Sequence, residues 1–223
     1  MNIIPAIIPD SIEEINSKVS KMLDVVDTFQ VDVVDGVLAG EASWPFNQNI
    51  ALDYLFEMEE TFPYLERMKY EIDIMAKNSW QYFGVFCGLG GRRIILHYEV
   101  GQEEEILGFL ESIDRETREA IEVILALEHD KDLSILQKAV PLIDGVQVMG
   151  IETIGLQGQK FSEKTYDIVS EIKSIYRDIT ISVDGGVSEE NIEKLKEFGV
   201  SRFVMGSAIW NKENEVEFVK SLL

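Results

Sequence analysis

Three aspartates in this sequence stand at or near the end of a short apolar or alternating run. They are Asp32 in Phe29-Gln30-Val31-Asp32-Val33-Val34, Asp73 in Tyr70-Glu71-Ile72-Asp73-Ile74-Met75, and Asp184 in Ile179-Thr180-Ile181-Ser182-Val183-Asp184. A carboxylate at a strand end is held rigidly at the edge of a core. Three of them in one mouth repel each other unless they shift their pKa values, stand apart or share a cation. Asp184 is followed by Gly185-Gly186, where backbone N–H groups can approach a ligand that a side chain would block. The pattern recurs at Arg202-Phe203-Val204-Met205, which leads into Gly206-Ser207-Ala208. Two successive strands ending in small residues suggest a phosphate cradle, and the bland alternative is a pair of strand-to-helix turns with glycine for tightness.

Strand and helix signals alternate along the whole chain to position these groups. Strands are expected over residues 2–8, 28–34, 68–75, 93–97, 122–127, 145–149, 179–184 and 200–205. Helices are expected over 12–23 after Asp10-Ser11, and then over 50–58, 80–86, 102–113, 131–139 and 161–176. A further helix capped by Ser188 and a last one over 213–222 complete the series. Eight strands alternating with helices in 223 residues predict a compact α/β fold, a (β/α)8 TIM barrel forming a single domain over 1–223. The competitor is an open doubly wound sheet. In a barrel, chemistry gathers at the C-terminal strand ends, which selects Asp32, Asp73, His97, Met149 and Asp184. The glycine run Gly88 to Gly91 precedes a strand, so it is expected at the opposite end of the barrel, away from ligand.

Composition narrows the partners. Twenty Lys and Arg against 41 Asp and Glu give a net charge of −21. That argues against nucleic acid and against an anionic membrane surface. It also requires an anion site to work through local backbone dipoles, helped by a metal ion. The single Cys87 excludes an internal disulfide. With no signal-like N-terminus and no long apolar run, the expectation is a soluble, cytoplasmic protein.

Seven segments in order resemble the ribulose-phosphate 3-epimerase family. They are Pro5-Ala6-Ile7-Ile8, Val31 to Gly36, Ile72-Asp73-Ile74-Met75, Leu96-His97-Tyr98-Glu99, Gly155 to Phe161, Val183 to Val187, and Gly206-Ser207-Ala208-Ile209. The resemblance implies a ribulose-phosphate-binding type of barrel and epimerisation at C3 of a ketose 5-phosphate in the pentose phosphate pathway. It implies Asp32 and Asp184 as the acid/base pair, both also holding a divalent metal. It further implies that Gly158, Gly185, Gly186, Gly206 and Ser207 serve the phosphate and that Met75 and Met149 cover the sugar, the alternative for the two methionines being plain core, and family members are often homo-oligomers. The family's two metal-site histidines are replaced here by Gln30 and Asp73. The resulting set, Asp32, Gln30, Asp73 and Asp184, is oxygen-only and suits Mg²⁺ or Mn²⁺ better than Zn²⁺. The alternative is that Asp73 hydrogen-bonds a substrate hydroxyl and no metal is kept. A family serine is Ala6. His97 is expected as a packed, hydrogen-bonded residue, Trp44 and Trp210 as packing, and His129 has no evident partner. The rivals to the epimerase are an epimerase of another ketose phosphate and a non-catalytic phosphosugar-binding barrel.

Overall fold

The computed structural model describes residues 2–48, 61–156 and 158–223. The helix expected over 50–58 lies outside them. Eight strands form one sheet: β1 Asn2–Ile7, β2 Thr28–Val34, β3 Lys69–Met75, β4 Gly91–Leu96, β5 Glu122–Leu127, β6 Gly145–Met149, β7 Thr180–Asp184 and β8 Arg202–Met205. Each strand pairs in parallel with the next, and β8 returns to β1, closing a barrel. The open-sheet alternative is thereby excluded. The strands are rich in Val and Ile and buried on both faces, as a parallel sheet covered by helices requires.

The connecting helices follow amphipathic spacing. In the helix Ile12–Met22 the side chain of Ser11 accepts from the Glu14 N–H, and Ile15, Val19 and Met22 form the buried stripe. Ser188, by contrast, is not a cap. The Asn191 side chain accepts from the Ser188 N–H and donates to the Gly186 carbonyl, which folds residues 186–191 into a loop. The helix therefore starts only at Ile192. The run expected as one helix over 131–139 is a 3₁₀ turn, Leu133–Ile135, followed by Leu136–Ala139. The run over 80–86 likewise splits into Ser79–Tyr82 and Phe83–Gly88. Two short helices, Arg115–Ala120 and Ser207–Trp210, were not anticipated. Gly90 sits beside Leu65, Met68 and Glu122, at the N-terminal end of the barrel as expected.

The main core joins the outward strand faces to the helices. Trp44 is buried in it, edge-on to Phe62, and Trp210 packs on Phe29 while donating to the Ala6 carbonyl at 2.7 Å. Inside the barrel the character changes along its axis. Towards the N-terminal end the buried Glu71 and Arg93 form an ionic group with the half-buried Arg202. Small apolar clusters lie among the strands, Ile4 with Ala6 and Val204, and Ile95 with Ile124 and Ala126. Towards the C-terminal end the interior turns acidic.

Candidate active site

Register brings the acidic residues together. Asp32 of β2 is paired with Asp73 of β3, and Asp184 of β7 with Met149 of β6. Carboxylate oxygens of Asp32, Asp73 and Asp184 all lie within 4.8 Å of one another. All three residues are buried, Asp73 completely.

Two amides tie the carboxylates together. Gln30, two residues before Asp32 and on the same strand face, donates from Nε2 to Asp32 Oδ1 at 2.8 Å and to Asp184 Oδ2 at 2.7 Å. Gln147, two residues before Met149, donates from Nε2 to Asp73 Oδ2 at 2.7 Å and to Asp184 Oδ2 at 3.3 Å. The Oε1 atom of each amide is buried and has no partner. On the other side of Asp73, His97 Nε2 lies 2.8 Å from Oδ1, and His97 Nδ1 lies 3.2 Å from Glu128 Oε1. Both ring nitrogens thus face carboxylates, an arrangement that suits the doubly protonated imidazolium. Lys131 stands 4.0 Å from Glu128 and over the Tyr98 ring. His97 is accordingly a packed, hydrogen-bonded residue, as expected, and its partners reach into the acidic centre. His129 has a partner after all, with Nε2 3.1 Å from Thr165 Oγ1.

The electrostatics follow from this crowding. Burial, and then the charges of Asp184 and Asp73, push Asp32 well above the usual carboxylate range. Burial, and then Asp73, push Asp184 up to about 7. Burial works against a charge on His97, but Asp73 and Glu128 outweigh it and hold the imidazole up at about 10. The same pairing with His97 outweighs the burial of Glu128 and keeps its carboxyl below the ordinary value.

These shifts set a pH dependence of stability. An unfolded Asp releases its proton near 4 and an unfolded His near 6.5. Between about 4 and 7 the folded protein holds a proton at Asp184 that the unfolded chain has lost, and between about 6.5 and 10 it does so at His97. Stability falls with pH wherever the native state binds more protons. In chelator, the melting temperature should therefore drop between pH 5 and pH 8, on the order of 10 °C for a few kcal/mol. A melting temperature that is flat or rises over that range would contradict the assignment.

One cavity opens onto the centre. Asp32 and Asp184 line it with Ala6, Met75 and Met149, and so do Gly158, Gly185, Gly186, Gly206 and Ser207. Asp73 and Gln30 do not line it. They lie fully buried beneath, so the residues expected from the sequence divide into a wall and a floor. Gly186 has φ +67°, and a Cβ there would come within 2.6 Å of the Phe161 backbone, so the turn after β7 has no room for a side chain. Over the mouth, the loop after β2 meets the loop after β6. A Cβ on Gly40 would lie 2.3 Å from the Gly155 carbonyl oxygen, so only glycine permits this approach. Leu38 and Ala39 pack there on Val34, Met75, Met149 and Ile154 as an apolar roof. Asp35 anchors that roof by accepting from the N–H groups of Val37 and Leu38, and from that of Lys77 after β3.

Sequence reasoning passed over Gln147 and Glu128. The signal for Gln147 was available: it stands two residues before the strand-end Met149, as Gln30 stands two before Asp32. Period-two alternation places both on the inner face.

A closed barrel of eight parallel strands, with its carboxylates and glycine turns gathered at the C-terminal strand ends, defines a TIM-barrel protein whose site lies in the usual mouth. The chain belongs to the ribulose-phosphate 3-epimerase family, whose description matches residues 2–210. A ribulose-phosphate 3-epimerase of Schizosaccharomyces pombe is 23% identical over 221 residues, covering 99% of this chain and 91% of that protein. One of Chlamydia muridarum is 23% identical over 151 residues, covering 65% of this chain and 63% of that protein, less than two thirds of its length. Among solved structures, 3-hexulose-6-phosphate synthase from Salmonella typhimurium superposes with a TM-score of 0.66 at 17% identity, covering 100% of this chain and 99% of that one. KGPDC from Streptococcus mutans in complex with D-R5P gives a TM-score of 0.68 at 13% identity, covering 99% and 94%. These two likenesses bear on the fold alone. No helix among the described residues is long and apolar enough to cross a membrane.

Proposed function

We propose that this protein is a phosphosugar epimerase that interconverts D-ribulose 5-phosphate and D-xylulose 5-phosphate by proton transfer at C3, with Asp32 and Asp184 as the acid/base pair. The observation that carries this reading is the pair itself. The two carboxylates come from different strands, both line the cavity, and both are pushed upward, Asp184 to about 7. Two carboxylates that face one cavity and are both held above the ordinary carboxylate range can each take or give a proton, the condition for one to act as base while the other acts as acid. The ionised carboxylate takes the C3 proton from one face of the sugar, and the C–H electron pair moves into the C2–C3 bond as the carbonyl oxygen becomes an enediolate oxygen. The protonated partner then delivers its proton to C3 from the opposite face, inverting the centre. After turnover the two carboxylates have exchanged roles.

The phosphate is assigned to the backbone N–H groups around Gly158, Gly185, Gly186, Gly206 and Ser207, and the sugar to the space beneath Met75 and Met149. In a protein of net charge −21, such a cradle works by local dipoles rather than by the overall field. The carboxylate cluster also fits a divalent cation. Three buried carboxylates share one small volume, and Gln30 brings an amide oxygen with no other partner. Asp32, Asp73, Asp184 and Gln30 would hold it, and their hard oxygen donors favour Mg²⁺ or Mn²⁺. When bound, such an ion supplies positive charge that stabilises an enediolate. His97, held cationic behind Asp73, offsets part of the same negative charge from the protein side.

A homo-oligomer, carried by the family resemblance, and a cytoplasmic location, carried by the sequence features given above, remain part of this proposal. A second reading, epimerisation of a different ketose phosphate, is favoured by Ala6, which presents no hydroxyl to the cavity it lines. The test is loss of the C3 proton of D-ribulose 5-phosphate in D₂O, on chelated protein and again with Mg²⁺ or Mn²⁺ restored. Exchange accompanied by xylulose 5-phosphate supports the proposal. Absence of exchange under every metal, with retained sugar-phosphate binding, would move the protein to another ketose phosphate or to binding alone.

A further inference from the structure

Gln147 has the same relation to the carboxylates as Gln30, on the opposite side of Asp184. Its side chain is fully buried, and Nε2 lies 2.7 Å from Asp73 Oδ2 and 3.3 Å from Asp184 Oδ2. Its Oε1 is buried and unpartnered. Nothing in the fold therefore anchors that oxygen, and the amide is oriented only by what its other end faces. Without a cation it faces carboxylate oxygens, so it turns its donors inward. With a cation among those oxygens the preference reverses, because a half-turn of the terminal amide places Oε1 where Nε2 now stands. Ligand atoms around one small hard cation with bonds of about 2.1 Å lie about 3 Å apart. The Gln147 amide already stands at that spacing from two of the three candidate carboxylates.

We infer that Gln147 is a fifth oxygen ligand of the divalent-cation site, its amide rotating to present Oε1 when the ion binds. The inference rests on the cation reading given above and extends it. Asp32, Asp73, Asp184, Gln30 and Gln147 then form an all-oxygen set drawn from strands β2, β3, β6 and β7, leaving room for a ligand oxygen from the mouth. Gln147 is thus more than a hydrogen-bond donor to the floor. It couples the arrangement of Asp73 to the loading of the site, because an amide that turns towards the ion ceases to donate to Asp73.

The experiment uses Mn²⁺ with the whole protein labelled with ¹³C at the glutamine side-chain carbonyl. Free Mn²⁺ is titrated by electron paramagnetic resonance, and couplings from Mn²⁺ to ¹³C are read by pulsed hyperfine spectroscopy. The expected result is two coupled glutamine carbons in the wild type. Gln147→Met, close in volume but with no amide, should remove one of them and weaken Mn²⁺ binding at least about tenfold. Gln147→Asn, which keeps an amide one carbon too short, should do the same if the methionine variant does not fold by circular dichroism. Mn²⁺ bound tightly with a coupling pattern unchanged in both variants would overturn the role of Gln147 and leave the rest of the cation site standing. Failure of the wild type to bind Mn²⁺ at millimolar concentration would overturn the cation reading and this inference together.

Discussion

Asp184→Asn should abolish C3-proton exchange of D-ribulose 5-phosphate, by a factor of roughly 10³, while the barrel stays folded. The first half follows from the proposed role: an amide neither takes nor gives a proton near neutral pH. The second follows from the surroundings. Asp184 is buried against Asp73, and its ionised form is disfavoured by both. A neutral side chain of the same shape removes that repulsion, and its oxygen still accepts from Gln30, which donates to Asp184 at 2.7 Å. The melting temperature should therefore stay level or rise, most clearly above pH 7, where the wild-type carboxyl has lost its proton. The isotope exchange and the melt are measured on one preparation. Near-normal exchange would remove Asp184 from the mechanism, and loss of the native circular dichroism would show that the residue holds the fold instead.

The strand series was legible because the barrel writes it twice. Most strands are rich in Val and Ile, and β2, β3 and β7 each carry a carboxylate at or near the C-terminal end, so Asp32, Asp73 and Asp184 could be placed from sequence alone. The helices were less legible, for local reasons. Asn191 bonds back to residues 186 and 188, and that loop holds the next helix back from Ser188. The short helices Arg115–Ala120 and Ser207–Trp210 are too brief to show a period in sequence. Within the site, the cavity wall was readable from glycines and strand ends. The floor was not, because it depends on which side chains meet across strands distant in sequence. Gln147 and Asp73 are 74 positions apart, and His97 joins Asp73 to Glu128 across two further strands.

The N-terminal half of the barrel interior should decide stability and leave the chemistry alone, and Glu71 is the residue that tests this. Its carboxylate is buried, in contact with Arg202 Nη2, and 3.6 Å from Arg93 Nε. Arg93 has a second partner in Glu122 and a contact with Ser182, whereas Glu71 is the partner of Arg202 among the described residues. Removing the carboxylate with Glu71→Leu takes the counter-charge from the half-buried Arg202 and one partner from the buried Arg93, a change that costs about 3 kcal/mol, the lower end for a buried pair. For a chain of this size that is a fall in melting temperature on the order of 10 °C. Removing both ends, Glu71→Leu with Arg202→Leu, should recover a good part of the loss, because an apolar pair of similar volume no longer strands a charge. The double-mutant cycle separates that coupling from the separate costs of the two changes. Proton exchange at the mouth should be unaffected in every variant that folds, since Glu71 does not line that cavity and the apolar clusters of Ile4, Val204, Ile95 and Ile124 lie among the strands around it. A single variant as stable as the wild type would show the ionic group to be a passive plug. A folded variant with altered exchange would show that the two ends of the barrel are coupled through those clusters.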